Sequence, residues 1–270
     1  MLFSISGLQC DAHPLKSEVM ELKDKCAIIV GASSGIGEAL ARRLAGEGWT
    51  LALLARRRPA LETIAAEINQ RHGEGRALVF EHDVTNYDSV PAALEEAAAA
   101  LGGLTLLVYS SGVMPDVGIT EYNFDKDRQM VEVNLLGMMA WMNAAAPLFE
   151  RLQGGVIMGI GSVAGDRGRK GQPGYNTSKG AQAIFLESLR NRLFASGVRV
   201  ITIKPGPVDT ALIRGAGNMP FMISAEHAAR TIARAIPRES GTVYVPGRWA
   251  LIMHIIRHIP SFIFRRMDIR

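Results

Sequence analysis

A tyrosine and a lysine four residues apart, Tyr175 and Lys179, open a stretch of helical period that runs to about Ala195. That spacing puts both side chains on one helix face. A phenol ionises near pH ~10, too high for efficient proton exchange at neutral pH. An ammonium ~4 Å away at an effective dielectric near ~20 contributes about 4 kcal/mol, and at about 1.4 kcal/mol per pKa unit the limit is roughly three units. The pair could then trade a proton near neutrality. Ser162 lies just past the apolar run Val156–Ile160, where its hydroxyl could hold a substrate oxygen. The plainer reading is a surface tyrosine and lysine with a serine in a turn.

A second constellation sits near the start of the chain. The run Ala27–Val30 leads into Gly31-Ala32-Ser33-Ser34-Gly35-Ile36-Gly37 and then an Ala/Leu-rich helical segment to Glu47. A strand that enters a helix through a glycine turn offers backbone N–H groups and a positive dipole end, a cradle for pyrophosphate. A tight turn without ligand is the structural alternative. The spacing is G-x-x-x-G-x-G, different from the common G-x-G-x-x-G dinucleotide fingerprint.

About twenty residues beyond such a loop, the next strand end meets the adenosine ribose, where a carboxylate favours NAD and arginine favours the 2′-phosphate of NADP. Here Leu53-Leu54-Ala55 runs into Arg56-Arg57-Arg58 with no carboxylate. Guanidiniums grip a dianionic phosphate bidentately, so the sequence predicts NADP (NADPH). A solvated basic turn before Pro59 is the alternative. Asp83, ahead of Val84, could accept from the adenine amino group or cap a helix.

The elements that must position these groups follow from periodicity. Short apolar runs at 27–30, 51–54, 77–80, 104–108, 156–160, 198–203 and 242–245 alternate with longer helical segments. Near-continuous apolar strands indicate a parallel sheet buried on both faces. The expectation is an α/β fold: a single doubly wound Rossmann-type domain over 25–247, with about seven parallel strands flanked by some six helices. An N-terminal extension (1–24) and a basic amphipathic C-terminal tail (248–270) flank it. Apolar residues make up 48% and charged residues 21% of the 270, which excludes a disordered or collagen-like chain. The two cysteines, Cys10 and Cys26, match neither zinc-site spacing nor a disulfide framework, so a reducing compartment and no metal are expected. No run reaches the ~18 apolar residues that a spanning helix needs, and the N-terminus is a poor signal peptide. A cytoplasmic protein is expected. The net charge is +4, and five arginines against one aspartate in 248–270 account for all of it, leaving a neutral body with no nucleic-acid footprint.

Taken together, these residues resemble the short-chain dehydrogenase/reductases from about Leu22 to Gly247. Gly31, Gly35 and Gly37 match that family's glycine motif, and Ser162, Tyr175 and Lys179 match its serine, tyrosine and lysine. The resemblance implies hydride exchange between a nicotinamide dinucleotide and a carbonyl or secondary alcohol. It makes Asn134 the asparagine that supports a water in a proton relay, where a satisfied buried amide is the alternative. Pro205-Gly206-Pro207-Val208-Asp209-Thr210 matches the family's Pro-Gly segment, with Val208 and Thr210 at the nicotinamide carboxamide. The family's Asn-Asn-Ala-Gly is replaced by Tyr109-Ser110-Ser111-Gly112, a departure on the adenosine side that leaves every catalytic group in place. The resemblance also implies a homodimer or homotetramer, paired through long helices that include the one carrying Tyr175.

Residues 211–224 carry two glycines and no strand period, which predicts a mobile lid over the substrate. Met219, Phe221, Met222, Ile223 and Met114 would form an apolar, adaptable wall, with core packing the alternative. A lipophilic substrate (fatty-acyl, sterol-like or another apolar ketone) follows. In the tail, Ile252, Ile255, Ile256, Ile259 and Ile263 recur at helical spacing beside His254, Arg257 and His258, and Pro260 should break the helix. Three readings stay open for 249–266: contact with an anionic membrane, a flap over the substrate cleft, or a subunit interface. The expected activity is an NADP-dependent oxidoreductase. A non-catalytic dinucleotide sensor on the same fold is the rival, disfavoured by the full Ser, Tyr, Lys and Asn set.

Overall fold

The computed structural model describes residues 25–213, 219–238 and 240–267. The N-terminal extension, the centre of the lid at 214–218 and the last three residues of the tail lie outside the described residues. In chain order, β1 (Cys26–Val30) feeds α1 (Gly35–Gly46), β2 (Thr50–Ala55) feeds α2 (Arg58–His72), and β3 (Ala77–Glu81) feeds α3 (Val90–Ala100). Then β4 (Leu106–Tyr109) leads through α4 (Phe124–Met130) and a π-helical turn (Val131–Leu136) to α5 (Gly137–Leu152). After β5 (Val156–Ile160) come a 3-10 turn (Val163–Asp166) and α6 (Pro173–Leu193). The remainder is β6 (Arg199–Pro205), the short strands β7 (Val208–Asp209) and β8 (Ile223–Ser224), α7 (Ala225–Ala235), β9 (Gly241–Val245), α8 (Arg248–His258) and α9 (Ser261–Phe264).

Seven of these strands form one parallel sheet in the order β3-β2-β1-β4-β5-β6-β9. Period-two alternation sends successive side chains to opposite cores. Ala27 and Ile29 join Leu53, Val108, Met158 and Ile232 on one face, whereas Ile28 and Val30 join Leu54, Leu107, Trp141, Phe149 and Leu186 on the other. That two-sided burial is why the strands are apolar throughout. Winding reverses between β1 and β4, the crevice where such sheets bind ligands. Val30 pairs with both Leu54 and Tyr109, and Tyr109 with Gly159, so the strand ends that carry the glycine loop, Ser110 and Ser162 lie level.

Some expected details differ. The fourth strand begins at Leu106, not Leu104, because Leu104 packs before the ladder starts. Lid residue Ile223 is not aperiodic loop: β8 pairs in parallel with β7, register Val208 to Ile223, which ties the far end of the lid to the Pro205–Thr210 segment. Asn134 lies not in regular α-helix but in the π-helical turn, a feature often found at functional sites.

Candidate active site

A cavity of about 440 Å³ opens at the carboxyl edge of the sheet. Gly31, Ser33, Ser34, Gly35, Ile36, Arg56, Arg57, Val84, Gly112, Ser162, Tyr175, Lys179, Pro205, Gly206, Val208 and Thr210 line it together. Gly37, Asp83 and Asn134 are not among the lining residues.

The glycine loop is shaped by close approach. Gly31 takes φ +90°, and a Cβ on Gly37 would lie 2.2 Å from the Gly31 carbonyl oxygen, so α1 can start here only without a side chain. Ser34 precedes α1 without a side-chain cap, which leaves the first-turn N–H groups facing the cavity end of the helix. Arg57 reaches over this loop: its Nη2 donates to the Ser33 carbonyl at 3.0 Å and to Ser33 Oγ at 3.1 Å. Arg56 Nη1 lies 3.9 Å from Asp83 Oδ2. Asp83 Oδ1 accepts from Thr85 N at 2.9 Å and Thr85 Oγ at 2.8 Å. Asp83 is thus engaged in an Asx-type turn, and those bonds, with Arg56 beside it, hold its carboxyl below the usual range against the cost of burial.

Ser162 follows β5 in extended conformation, and its Oγ accepts from Ala164 N at 3.1 Å. Pro173 in the first turn of α6 fixes the helix start two residues before Tyr175. Tyr175 and Lys179 are both buried, with Lys179 Nζ 5.7 Å from the phenol ring centroid and donating to the Ile160 carbonyl at 2.9 Å. Burial raises the Tyr175 phenol above its ordinary value, opposed by a hydrogen bond with Ser162 and by the charge of Arg169. Burial likewise lowers the Lys179 ammonium to about 7. Sequence reasoning had the lysine acidifying the tyrosine. Burial dominates at both groups instead, because each is charged only at the expense of leaving water.

Asn134 is fully buried and acts as a bracket between elements. Its Oδ1 accepts from Val113 N at 2.7 Å, while Nδ2 donates to the Val113 carbonyl at 3.0 Å and to Ser178 Oγ at 3.1 Å. The Asn134 main-chain oxygen accepts from Gln182 Nε2. The replacement of the family's asparagine by Tyr109 is absorbed by packing: the ring is buried and its hydroxyl donates to the Val133 carbonyl at 2.5 Å, inside the same π-helical turn.

Residues 25–219 match the family model described as short chain dehydrogenase. The chain belongs to that family. An uncharacterized oxidoreductase of Staphylococcus aureus (strain MW2) is 34% identical over 191 residues, covering 71% of this chain and 81% of the relative. An uncharacterized oxidoreductase of Mycobacterium tuberculosis (strain H37Rv) is 28% identical over 241 residues, covering 88% and 95%. Among solved structures, a short-chain type dehydrogenase/reductase from Mycobacterium marinum superposes with TM-score 0.76 at 25% identity over 86% of this chain and 98% of that one. The 3-ketoacyl-(acyl-carrier-protein) reductase of Brucella melitensis complexed with NADH gives TM-score 0.73 at 24% identity, covering 82% and 96%, a likeness of fold. As a short chain dehydrogenase, this protein is an oxidoreductase acting between CH–OH and C=O with NAD(P). The residues present fit that cofactor: a side-chain-free cradle at an uncapped helix start, two arginines at the end of β2, and a buried tyrosine and lysine in the same cavity.

Several lining or supporting residues had no signal in sequence. Trp249 of α8 lines the cavity, and a Cβ on Gly206 would lie 2.0 Å from its indole nitrogen. Asp166, buried behind Ser162, pairs with Lys204 of β6 and accepts from Tyr244 Oη at 2.8 Å. That bond to a carboxylate, with burial first, pushes the Tyr244 phenol up to about 12. The triad joins the Ser162 turn to β6 and β9. Its members are separated widely along the chain, and only strand order reveals the contact. Of the expected lid wall, Met114 and Met219 line the cavity, whereas Phe221 and Met222 are exposed.

Proposed function

We propose that this short chain dehydrogenase is an NADPH-dependent reductase of lipophilic carbonyl compounds. The observation that carries the reading is one cavity lined by the arginines that follow β2, by Ser162 after β5 with Tyr175 and Lys179, and by apolar side chains. The dinucleotide, when bound, supplies the hydride. Tyr175 protonates the substrate oxygen as it gains charge, and Ser162 positions that oxygen by hydrogen bonding. Lys179 holds the nicotinamide ribose and, when charged, favours the phenolate left after proton transfer. Asn134 fixes Val113 and Ser178 around the lysine through its side chain, and its main-chain carbonyl, which accepts from Gln182, keeps a second lone pair for a water of the proton relay.

Gly31 to Gly37 cradle the pyrophosphate, with Gly37 serving the packing of the loop. Arg56 and Arg57 would hold the 2′-phosphate, Asp83 and Val84 the adenine, and Pro205, Gly206, Val208 and Thr210 the carboxamide, while Gly112 lies close to Asn134 and Lys179. Support for an apolar substrate comes from Met114, Val163, Ala164, Leu212, Ile213, Met219 and Trp249 in the cavity lining. Ile184 of α6 and Phe194 just beyond it are exposed, which supports pairing of subunits across that helix.

The test is NADPH oxidation over aliphatic ketones of increasing chain length, with NADH as control. Rising kcat/KM with chain length and a preference for NADPH are expected. Better turnover of short polar ketones would overturn the substrate reading.

A further inference from the structure

The tail after β9 is not needed to close the sheet, yet the structure holds it firmly. Trp249 and Met253 of α8 are buried against Val163, with Ile252 and Ile256 partly covered beside them. Arg167 caps the carboxyl end of α8: its Nη1 donates to the carbonyls of Ile256 at 2.5 Å and Ile259 at 2.6 Å. The same guanidinium stacks 3.9 Å from the centroid of the Phe264 ring, which fixes α9 beyond the break at Pro260. The inner face is therefore a wall of the cleft, and the outer face is preformed.

That outer face is apolar. Leu251 is 67% exposed, Ile255 58%, Phe262 56% and Ile263 43%. It continues into the lid, where Phe221 is 50% exposed and packs edge-on to Trp249 with Arg248 over its other side. Leu212, at the exposed edge, also lines the cavity, so the patch borders the mouth. Cations accompany it: Arg248, Arg257, Arg265 and Arg266 are all exposed, and no Asp or Glu occurs from Gly241 to Met267. Residues 1–247 sum to zero, so the net charge of +4 comes from the segment 248–270. Four exposed large apolar side chains on α8 and α9, in a segment whose charged residues are all basic, match the interface of an anionic bilayer, where rings and aliphatic chains enter the acyl boundary and guanidiniums meet lipid phosphates.

We propose that the outer face of α8 and α9, with the adjoining Phe221, docks on an anionic lipid surface and presents the mouth of the cavity to it. The assignment stands whichever carbonyl compound the site reduces. Like charges on this segment disfavour pairing of this face with its copy, since the same arginines would be brought together.

The experiment is co-sedimentation of the full chain with vesicles of phosphatidylglycerol and phosphatidylcholine mixed equally, against phosphatidylcholine alone, with sedimentation velocity of the lipid-free protein in parallel. Binding to the mixed vesicles only, weakened by salt, is expected. Arg265→Gln with Arg266→Gln should lower partitioning by about 25-fold, at about fivefold per cation near the surface. Leu251→Glu with Ile255→Glu should abolish it while the thermal midpoint stays unchanged, since both side chains project outward. Absence of pelleting overturns the proposal, as does pelleting that the glutamate pair leaves intact. Self-association that the glutamate pair dissolves, with no vesicle binding, would assign the face to a second copy instead.

Discussion

Replacing the two arginines at the end of β2 should convert cofactor preference and leave catalysis standing. Arg56 and Arg57 follow directly from Ala55, and Arg57 is tied to the glycine loop by donations to Ser33 at 3.0 to 3.3 Å. A charge-assisted hydrogen bond contributes roughly 1.5–3 kcal/mol. Arg56 is 60% exposed, so solvent screening pulls its share toward the lower figure. At about 1.5 kcal/mol each, Arg56→Ala or Arg57→Ala should cost about tenfold in kcat/KM for NADPH, and the double substitution about 100-fold. NADH lacks the phosphate, so its kcat/KM should change by less than about threefold, the residue of the lost Ser33 tie. The wild-type preference should also shrink in high salt, where the Debye length falls to a few ångströms, about 3 Å at 1 M. Initial rates with one apolar ketone and both cofactors, at low and high salt, measure all of this. Equal losses with both cofactors, or an NADPH preference that survives the double substitution, would refute the reasoning.

Other consequences follow from packing and burial. Gly37→Ala puts a methyl group where 2.2 Å separates it from the Gly31 carbonyl oxygen, and the overpacking should cost roughly 1–3 kcal/mol by denaturant unfolding, with NADPH binding lost. Asp166→Asn strips the Lys204 ammonium of its buried partner and should destabilise by roughly 3–5 kcal/mol, whereas a surface change such as Glu62→Gln, in an exposed pair with Arg58, should cost under about 1 kcal/mol. Lys179 has a lowered folded pKa of about 7 against 10.5 in the unfolded chain. Between those values the unfolded state binds more protons, so this group makes cofactor-free stability rise with pH across the window from about 7 to 10.5. Lys179→Met should remove that rise from a series of unfolding curves; an identical pH dependence in the variant would contradict the burial argument.

The fold was legible because its signal is repetitive and local: seven apolar runs alternating with helical segments already specify a parallel sheet covered on both faces. The site was legible where a motif is contiguous, as in Gly31 to Gly37, or set by helix spacing, as in Tyr175 and Lys179. Long-range packing was not. The contact of Trp249 with Gly206 and the Asp166, Lys204 and Tyr244 triad depend on β9 lying beside β6, which no run of sequence records. The π-helical turn at Asn134 was hidden too, since Met130 to Gly137 reads as ordinary helix and the change of hydrogen-bond register goes with long-range bonds from Tyr109 and Gln182 to carbonyls in that turn. Proton affinity was the least legible property. Residue types indicated attraction between Tyr175 and Lys179, whereas the depth at which they are buried sets their balance.

The role of the phenol is the centre of the account, and Tyr175→Phe isolates it, removing one hydroxyl from a buried ring. Steady-state NADPH oxidation with a long-chain ketone, paired with a fluorescence titration of NADPH, should show turnover reduced by about 10²–10⁴-fold while affinity for the dinucleotide stays within about twofold. Turnover close to that of the unaltered protein would place the proton donor elsewhere and contradict the mechanism.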